Sequence, residues 1–403
     1  MKVAFFHRIG GSIGTVTDEL AQGLVSHGCQ VTIYWDQAKC NCCPEIHYKR
    51  VAPSLLDSGL GYIGSAADKY LLPIFKQTRR PFFSSRLSYF TYALQVAKDL
   101  KTEKCDVVHV HALSQVIPVV RSQNPQARIV LHMHDASLSF LSRGMIERRL
   151  EDTDLVVGVS DYITDAIRRR FPRFSQRCRT VYNGARTFPA GKTSKNHKTK
   201  TVLFIGRISP EKGVHVLLDA FKEVVKHCPQ AQLKIVGPFG VLSMKWIVGL
   251  TDDPVTASLA KYYRLNYREL LKAKTSEVRN HVTFTGWVSD QQLHQIYSSA
   301  DIVVLPSVNN EPFGLLLADG MAYGLPAVAT RGGGVPEIVV DGKTGLLVNR
   351  DDSSQLAAAI SQLLTDDKLR ADMGQAARER VKLFTWNRAS ERMFRLYKEI
   401  QSV

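Results

Sequence analysis

The chain has 403 residues, of which 44% are apolar and 22% charged; this composition excludes a disordered or collagen-like chain, and the length predicts two or three domains. No run reaches the ~18–20 apolar residues of a transmembrane helix, and Val3–Phe6 is too short for the core of a signal peptide. The formal net charge of +16 favours anionic partners such as phosphates, nucleic acid or a membrane surface, without selecting among them.

Short, β-branched apolar runs alternate with amphipathic stretches along most of the chain. In the first half, strands are predicted at Val3–Phe6, Val31–Trp35, Val107–Val110, Ile129–His132, Leu155–Val159 and Arg179–Tyr182. In the second half, they are predicted at Val202–Ile205, Leu233–Val236, Val282–Phe284, Ile302–Leu305, Ala327–Ala329 and Gly345–Val348. Helices are predicted between them, for example at Thr15–His27, Ser160–Arg169, Val214–Lys226 and Asp351–Leu364. Apolar strands joined by helical crossovers are typical of doubly wound α/β domains with parallel sheets.

A polar and basic stretch at residues 187–200 has no acidic residue and predicts an interdomain linker. It separates a first domain, residues 1–186, from a second domain, residues 201–385, and a last helix follows at about residues 386–403. Between Phe239 and Asn280 the chain is longer than one helical crossover requires. A helix is predicted there at Ser258–Lys274, while the role of the segment stays open.

A glycine-rich loop follows the first predicted strand and includes Gly10, Gly11 and Gly14. A strand, a glycine loop and a helix together present backbone amides and the helix dipole, which attract a phosphate. The loop lacks the spacing of the dinucleotide-binding and P-loop motifs. A tight structural turn and an anion site therefore both remain open.

Cysteines and one histidine cluster near residue 42. Cys40, Cys42, Cys43 and His47 could supply four metal ligands, but adjacent cysteines rarely fit one tetrahedral site. We expect no metal here, and we interpret the seven cysteines as reduced thiols of a cytosolic protein.

Two basic segments carry much of the positive charge of the first domain. Arg168–Arg179 contains six arginines and no acid, and Lys76–Arg86 places four positive charges among aromatic residues. Such segments could contact an anionic membrane or an anionic acceptor, or they could be solvated surface. No nucleic-acid-binding module is recognisable, so nucleic acid is not an expected partner.

The second domain opens with strand Val202–Ile205 and a turn into a helix. Ser209 is predicted to be the N-cap and Pro210 the first helical residue. Arg207 and Lys212 would then lie at a helix N-terminus, where cations are disfavoured. A bound polyanion would remove this conflict; solvated surface charge is the alternative.

Two carboxylates follow the strand Ile302–Leu305. Glu311 is predicted in a loop, and Asp319 inside a helix that begins near Phe313, among apolar neighbours. A buried carboxylate needs a partner, because burying it unpaired is costly; sugar hydroxyls are suitable partners. The alternative is that Glu311 caps the helix and Asp319 faces solvent.

Several motifs together resemble one family. They are Gly206-Arg207, Glu211-Lys212-Gly213, Glu311-Pro312-Phe313-Gly314, Ala322 to Val328, Arg331 to Ile338, Gly342 to Val348, Asp106 to His111, Ser160 and Asn183-Gly184. In these motifs and their spacing the chain resembles glycosyltransferase family 4, except roughly at residues 55–95 and 240–280. The resemblance implies the GT-B fold, with two doubly wound Rossmann-like domains facing across a cleft and the last helix packing back on the first domain.

The resemblance also implies an activity. Such enzymes transfer a hexose from a nucleotide diphosphate sugar, most often a UDP-sugar, to a hydroxyl of a saccharide, lipid-linked or small-molecule acceptor, with retention and without a metal or other cofactor. The implied location is cytoplasmic, with peripheral membrane contact left open. A nucleotide-sugar epimerase or phosphorylase on the same fold and a non-catalytic, sugar-nucleotide-binding scaffold are the alternatives.

The resemblance assigns roles to residues of the second domain. Arg207 and Lys212 would bind the donor diphosphate and stabilise the leaving phosphate, and Glu311 would hydrogen-bond the transferred sugar. Asp319 matches the position that meets the ribose hydroxyls, although the family has the longer glutamate there. The remaining donor-binding residues implied in this domain are Gly206, Phe313, Gly314 and Leu315.

In the first domain, Gly11 would bring backbone close to the diphosphate. His134 matches a family histidine near the donor sugar; His109, His111 and His132 are weaker candidates. The Asp152-Thr153-Asp154 sequence looks like a metal-binding motif of another glycosyltransferase fold, but we interpret it as a turn entering the strand at Leu155–Val159.

Overall fold

A computed structural model describes residues 1–6, 11–35, 43–70, 78–186, 199–240 and 242–402. The chain divides into two compact units. The first unit comprises Met1–Gly184 and Trp386–Val403, and the second comprises Ala185–Thr385. Residues 187–198 of the predicted linker and residues 7–10 of the first glycine-rich loop lie outside the described residues.

The first unit is built on a parallel sheet of seven described strands in the order β3-β2-β1-β4-β5-β6-β7. The strands are β1 (Lys2–Phe6), β2 (Gln30–Trp35), β3 (Ile46–Arg50), β4 (Val107–His111), β5 (Arg128–Met133), β6 (Leu155–Gly158) and β7 (Cys178–Thr180). The helices are α1 (Ser12–Ser26), α2 (Leu55–Tyr70), α3 (Phe90–Glu103), α4 (Ile117–Gln123), α5 (Ser137–Phe140), α6 (Arg143–Glu151) and α7 (Asp161–Arg170). Every residue of the central strand β4 is buried, as expected of a parallel strand covered on both faces.

The second unit has a parallel sheet of six described strands in the order β10-β9-β8-β11-β12-β13. The strands are β8 (Lys200–Ile205), β9 (Ala231–Val236), β10 (Val282–Gly286), β11 (Ile302–Leu305), β12 (Ala327–Thr330) and β13 (Gly345–Val348). The helices are α8 (Val214–His227), α9 (Met244–Ile247), α10 (Pro254–Ala257), α11 (Ala260–Tyr263), α12 (Tyr267–Thr275), α13 (Asp290–Ser299), α14 (Leu315–Ala322), α15 (Val335–Ile338), α16 (Ser353–Thr365) and α17 (Asp367–Val381). Helices α8 and α16 pack against each other, and both contribute buried side chains to one apolar core with the sheet.

The last helix, α18 (Trp386–Gln401), belongs to the first unit and packs against α1. A side chain at Gly23 would clash with Ser390, so the glycine allows the two helices to approach closely. Nearby, the rings of His27 and Phe394 stack with their centroids 5.1 Å apart.

The predicted α/β class is confirmed, and each predicted strand overlaps an observed one. The prediction of six strands in the first half is wrong by one, because β3 was not anticipated. This strand lies at the edge of the sheet, and only Ile46 of its five residues is buried. Polar residues such as Lys49 and Arg50 hide the apolar pattern on which strand prediction depends.

Two helix predictions in the second unit are also corrected. The predicted helix Ser258–Lys274 is broken into α11 and α12, and Asn266 caps the second of them through its side chain. Helix α14 begins at Leu315 rather than near Phe313, because Gly314 precedes it in a left-handed conformation with φ of 96°. None of the helices in the described part of the chain has the length and apolar character that crossing a bilayer requires.

Candidate active site

Polar residues of the second unit meet where strands β8, β11 and β12 end. In parallel α/β sheets, ligands bind beyond the carboxyl ends of the strands. Lys212 follows β8 in a short 3₁₀ turn, Pro210–Lys212, and Glu311 follows β11. The Lys212 ammonium nitrogen lies 2.9 and 2.7 Å from the two carboxylate oxygens of Glu311. The structure thus brings together two residues that are 99 positions apart in the chain.

Glu311 is buried and held on several sides. The hydroxyl of Ser307 donates a 2.8 Å hydrogen bond to its carboxylate. Burial alone would raise the pKa of Glu311, but the charge and hydrogen bond of Lys212, with the Ser307 bond and the Arg207 charge, hold the pKa below its ordinary value. Glu311 is therefore a carboxylate at neutral pH, able to accept hydrogen bonds but not to donate a proton.

A glycine loop after β12 fixes the backbone of Glu311. The amide of Gly334 donates to the Glu311 carbonyl at 2.8 Å, and the amide of Gly333 donates to the side chain of Asn310 at 3.1 Å. Gly333 has a φ of 63°, and a Cβ atom there would lie 2.1 Å from the Glu311 carbonyl oxygen. Only glycine allows this approach, so the loop positions the carboxylate through the main chain.

Arg207 is paired with a buried acid that sequence reasoning did not single out. Its guanidinium lies 3.0 Å from Glu211, which also accepts hydrogen bonds from the hydroxyls of Ser209 at 2.6 Å and Tyr263 at 2.8 Å. The Nε atom of Arg207 is buried, and in the described part of the chain it has no hydrogen-bond partner. The guanidinium is thus oriented by the protein while one of its donors stays available.

These contacts correct the predicted conflict between cations and a helix N-terminus. Arg207 and Lys212 precede α8, which begins only at Val214, and each has a carboxylate partner. Ser209 does start the 3₁₀ turn with Pro210 after it, but its hydroxyl bonds Glu211 instead of capping the backbone. No bound polyanion is needed to explain the two cations; their binding of a phosphate stays a prediction.

Asp319 lies inside α14 and is 7% exposed. This burial excludes the alternative that Asp319 faces solvent. The partners that the structure shows are protein groups: the amide of Arg186 donates to it at 2.8 Å, and Tyr297 bonds it as well. Burial raises the pKa of Asp319 to about 6, although these contacts lower it in part. Its contact with a ribose stays a prediction.

The other implied donor-binding residues lie at the same strand ends. Phe313 is buried and packs edge-on against Phe384 with ring centroids 6.0 Å apart. Gly314 is the N-cap of α14 and Leu315 its first residue, and the first amides of a helix have no partner within it. The amide of Gly206 is already used, because it donates to the Val236 carbonyl at 2.9 Å.

The segment between β9 and β10, whose role the sequence left open, supports this site. Tyr263, at the end of α11, reaches Glu211 as described. Asp253, which caps α10, accepts two hydrogen bonds from Arg350 at 2.7 and 2.9 Å. Arg350 in turn donates to the carbonyl of Val308, just before the candidate site. Nothing in the amino-acid pattern distinguishes Tyr263 from the neighbouring tyrosines, so only the structure identifies it.

In the first unit, four histidines cluster around strands β4 and β5. The side chains of His111 and His134 are hydrogen-bonded at 2.8 Å, and those of His109 and His132 at 3.1 Å. His109 also bonds the hydroxyl of Tyr397 at 2.5 Å. Burial lowers the pKa of His132 to about 3, and burial together with the charge of His132 holds the pKa of His109 well below its ordinary value. His109 and His132 are therefore neutral structural residues, whereas His134 is less buried and follows the end of β5.

The histidines also bear on the expected absence of a metal. Among the described residues, the ligand nitrogens of His109, His111 and His132 lie within 4.8 Å of one another, close enough for one metal ion to approach all three. However, both ring nitrogens of His109 already take part in hydrogen bonds. Zinc would need its nitrogen ligands at 2.0–2.1 Å and hence a rearrangement of these bonds. The metal-free character of the site stays a prediction.

Two further predictions concern glycine and cysteine. Gly11 is exposed at the start of α1 with a φ of 76°, and, its chain neighbours aside, no atom of the described residues lies within 4 Å of the position that a Cβ would take there. Cys43 is a free thiol, while Cys40 and Cys42 of the predicted cluster lie outside the described residues.

The basic segment Arg168–Arg179 is largely engaged by its own unit. Four of its six arginines bond backbone carbonyls or carboxylates, namely Arg168 with Asp165 and Cys178, Arg173 with Glu151, Arg177 with Leu150 and Thr153, and Arg179 with Gln176. These contacts give the segment a structural role, and its docking to an anionic surface stays a prediction.

In the same unit, Asp154 pairs with Arg121 at 2.5 Å, in agreement with a structural turn before β6.

Solved structures define the fold class. The chain is similar to Alr3699/HepE of Anabaena, with a TM-score of 0.71, 18% identity and coverage of 98% of both chains. It is also similar to sucrose-phosphate synthase of Thermosynechococcus elongatus, with a TM-score of 0.71, 22% identity and coverage of 99% of this chain and 98% of that chain. The class is thus the GT-B fold.

Sequence comparisons then define the family. Residues 9–187 match the family described as Glycosyltransferase Family 4, and residues 186–380 match Glycosyl transferases group 1. Spore coat protein SA of Bacillus subtilis is 28% identical over 327 residues, which cover 76% of this chain and 82% of that protein. D-inositol 3-phosphate glycosyltransferase of Corynebacterium diphtheriae is 35% identical over 202 residues, which cover 49% of this chain and 42% of that protein. The chain belongs to glycosyltransferase family 4.

Proposed function

We propose that the protein is a retaining hexosyltransferase that uses a UDP-sugar and an acceptor hydroxyl, without a metal. The observation that carries the proposal is the Lys212–Glu311 pair at the carboxyl ends of the strands, with Arg207 preorganised beside Glu211. Alr3699/HepE, which shares the fold, has been solved in complexes with UDP and glucose and with UDP-glucose. That similarity supports a nucleotide-sugar donor here.

In the proposed reaction, the bond from the anomeric carbon to the phosphate oxygen breaks, and the acceptor oxygen bonds the same face of that carbon. The acceptor proton passes to the departing phosphate, so no protein nucleophile is required. Negative charge grows on that phosphate, and preorganised cations stabilise it most where water is excluded. Arg207 would use its buried, unpartnered Nε–H for this purpose, and Lys212 its third N–H donor.

Glu311 has a complementary role in this proposal. As a carboxylate held by Lys212 and Ser307, it would accept hydrogen bonds from hydroxyls of the transferred sugar and keep Lys212 in place. The role of His134 in binding the donor sugar is part of this proposal and rests on the family resemblance. The free thiols of Cys29, Cys43, Cys105, Cys178 and Cys228 support a reducing, cytoplasmic location.

Replacing Lys212 tests the role of this cation. We expect Lys212→Ala to lower the turnover of UDP-sugar, measured as transfer or as slow donor hydrolysis, by about 10²–10³-fold, because one preorganised charge is lost at the departing phosphate. Lys222→Ala is the matched control: Lys222 is also a lysine of the second unit paired with a glutamate, but it lies in α8. Near-normal turnover in Lys212→Ala would contradict the proposal, whereas binding without turnover in the wild type would indicate a non-catalytic protein.

Removal of divalent ions tests the metal-free part of the proposal. Dialysis against EDTA should leave the turnover of UDP-sugar unchanged, because lysine and arginine side chains would supply the positive charge. Elemental analysis of the dialysed protein provides the control for complete removal. Loss of activity that returns with added zinc or magnesium would contradict it and direct attention to His109, His111 and His132.

A further inference from the structure

A pocket of about 180 Å³ in the first unit is lined mainly by arginines. Its walls are formed by Arg80, Ser85, Arg86, Met145, Arg148 and Arg149. Arg148 and Arg149 belong to α6, while the other arginines come from the segment before α3. The pocket thus gathers four positive charges from two distant parts of the chain.

Arg149 is the fixed element of this pocket. It is 2% exposed, and its guanidinium donates to the hydroxyl of Ser114 at 3.0 Å and to the backbone carbonyl of Ser84. These bonds use two of the five N–H donors of a guanidinium. Two neutral partners orient the side chain but do not balance its charge.

No acid of the described residues balances the other arginines either. Arg80, Arg86 and Arg148 are exposed and form no ion pair there, and the hydrogen bond of Arg80 goes to the Ser142 hydroxyl. Burial, together with the charges of Arg86 and Arg148, lowers the pKa of Arg149 to about 10. A buried charge among like charges is costly unless an anion compensates it.

A second observation points to the same ligand chemistry. The hydroxyl oxygen of Ser85 is buried and has no hydrogen-bond partner among the residues that the structure describes, although buried polar groups are nearly always hydrogen-bonded. An oxyanion in the pocket would accept a hydrogen bond from this hydroxyl as well as from the arginines. Planar guanidinium groups suit a phosphate, which they can bind in a bidentate manner.

The position of the pocket connects it with substrate binding. Ser114, to which Arg149 is anchored, begins a short 3₁₀ turn just after β4. The pocket therefore adjoins the carboxyl end of the sheet, the side on which open α/β sheets bind their ligands.

We propose that this pocket binds a phosphate group of the acceptor substrate. The identification of the ligand as the acceptor rests on the proposed glycosyl transfer, whereas the phosphate site itself does not. Both a soluble phosphate ester and a phospholipid headgroup present this chemistry.

Calorimetric titration with inorganic phosphate tests the site in the full-length protein. The titration uses Lys212→Ala as the background, so that phosphate binding by the second unit is weakened and is the same in all the variants compared. Adding Arg86→Gln and Arg148→Gln should weaken phosphate binding at least tenfold, since both side chains are exposed and can be replaced without disturbing the core. A matched control removes two exposed charges of the same unit, with Lys101→Gln and Arg392→Gln, and should bind phosphate like the background.

The source of the phosphate is distinguished by two further ligands. Glycerol 3-phosphate represents a soluble ester, and phosphatidylcholine vesicles with or without phosphatidic acid represent a headgroup. Binding of either ligand that is lost with Arg86→Gln and Arg148→Gln supports the proposal and identifies the source. Equal phosphate binding in the variant and its control, or no binding of any of these probes, would overturn it.

UDP titration separates this inference from the proposed function. The Arg86→Gln and Arg148→Gln variant with intact Lys212 should bind UDP like the wild type. Loss of phosphate binding with unchanged UDP binding therefore concerns the pocket alone, and failure of the wild type to bind UDP concerns only the proposed donor site.

Discussion

Single residues show how the second unit stabilises charged groups at the carboxyl ends of its strands. Lys212 forms an ion pair with Glu311, and Arg207 forms one with Glu211. A charge buried without a partner would cost several kcal/mol, so each cation has an acid of its own. A phosphate that enters this site would share these cations with the two glutamates.

The ionisation of Asp319 gives a prediction at this scale. Because the pKa is raised to about 6 in the folded protein from 3.8, the native state is favoured by protonation and loses this stabilisation as the pH rises through 6. Asp319→Asn cannot ionise. We expect the unfolding free energy of Asp319→Asn relative to wild type to increase by about 2 kcal/mol between about pH 4.5 and pH 7.5.

Urea unfolding at the two pH values provides the measurement. Asp290→Asn is the matched control, because Asp290 also contacts Arg186 but its side chain is 64% exposed; its relative stability should change little. A constant difference between Asp319→Asn and wild type would show that Asp319 does not titrate in this range.

At the scale of elements, the segment between β9 and β10 acts as a support for the strand ends. Its helices are short, but they deliver Tyr263 to Glu211 and Asp253 to Arg350. Residues that appear unrelated to the family motifs therefore fix the geometry of a motif arginine. Such support is expected wherever a binding group must be held in one orientation.

Removal of one hydroxyl tests this support. Tyr263→Phe should cost about 1–2 kcal/mol of unfolding free energy, because a hydrogen bond to a buried carboxylate is lost, and should lower kcat/KM about tenfold as Arg207 loses its orientation. Urea unfolding and steady-state turnover measure the two effects. Tyr262→Phe is the control: its ring packs on His215, and it should change stability by less than about 0.5 kcal/mol. Equal effects of the two substitutions would exclude a special role for Tyr263.

At the scale of the whole molecule, the net charge of +16 has several separate causes. Most of the described arginines of Arg168–Arg179 bind carbonyls and carboxylates of the first unit. Arg207 and Lys212 are paired with glutamates, and uncompensated charge gathers around Arg149. Total charge therefore indicates an affinity for anions, while its distribution decides where an anion can bind.

The sequence by itself determined the α/β class, the buried strands and the family. Strands such as β1, β8 and β11 are continuous apolar runs, and such runs are buried in parallel sheets whatever the surrounding fold. Motif spacing identified Arg207, Lys212, Glu311 and Asp319 as candidates, because chemistry restricts which residues can meet a nucleotide sugar.

Only the tertiary structure decided which partners these residues have. Three contacts join residues more than fifty positions apart in the chain. They are the ion pair of Lys212 with Glu311, the hydrogen bond from Tyr263 to Glu211 and the pocket that Arg86 and Arg149 line together. Local patterns carry no information about such contacts, because they arise from the packing of distant elements. The edge strand β3 was missed for a related reason: its stability comes from pairing with β2 and not from an apolar pattern of its own.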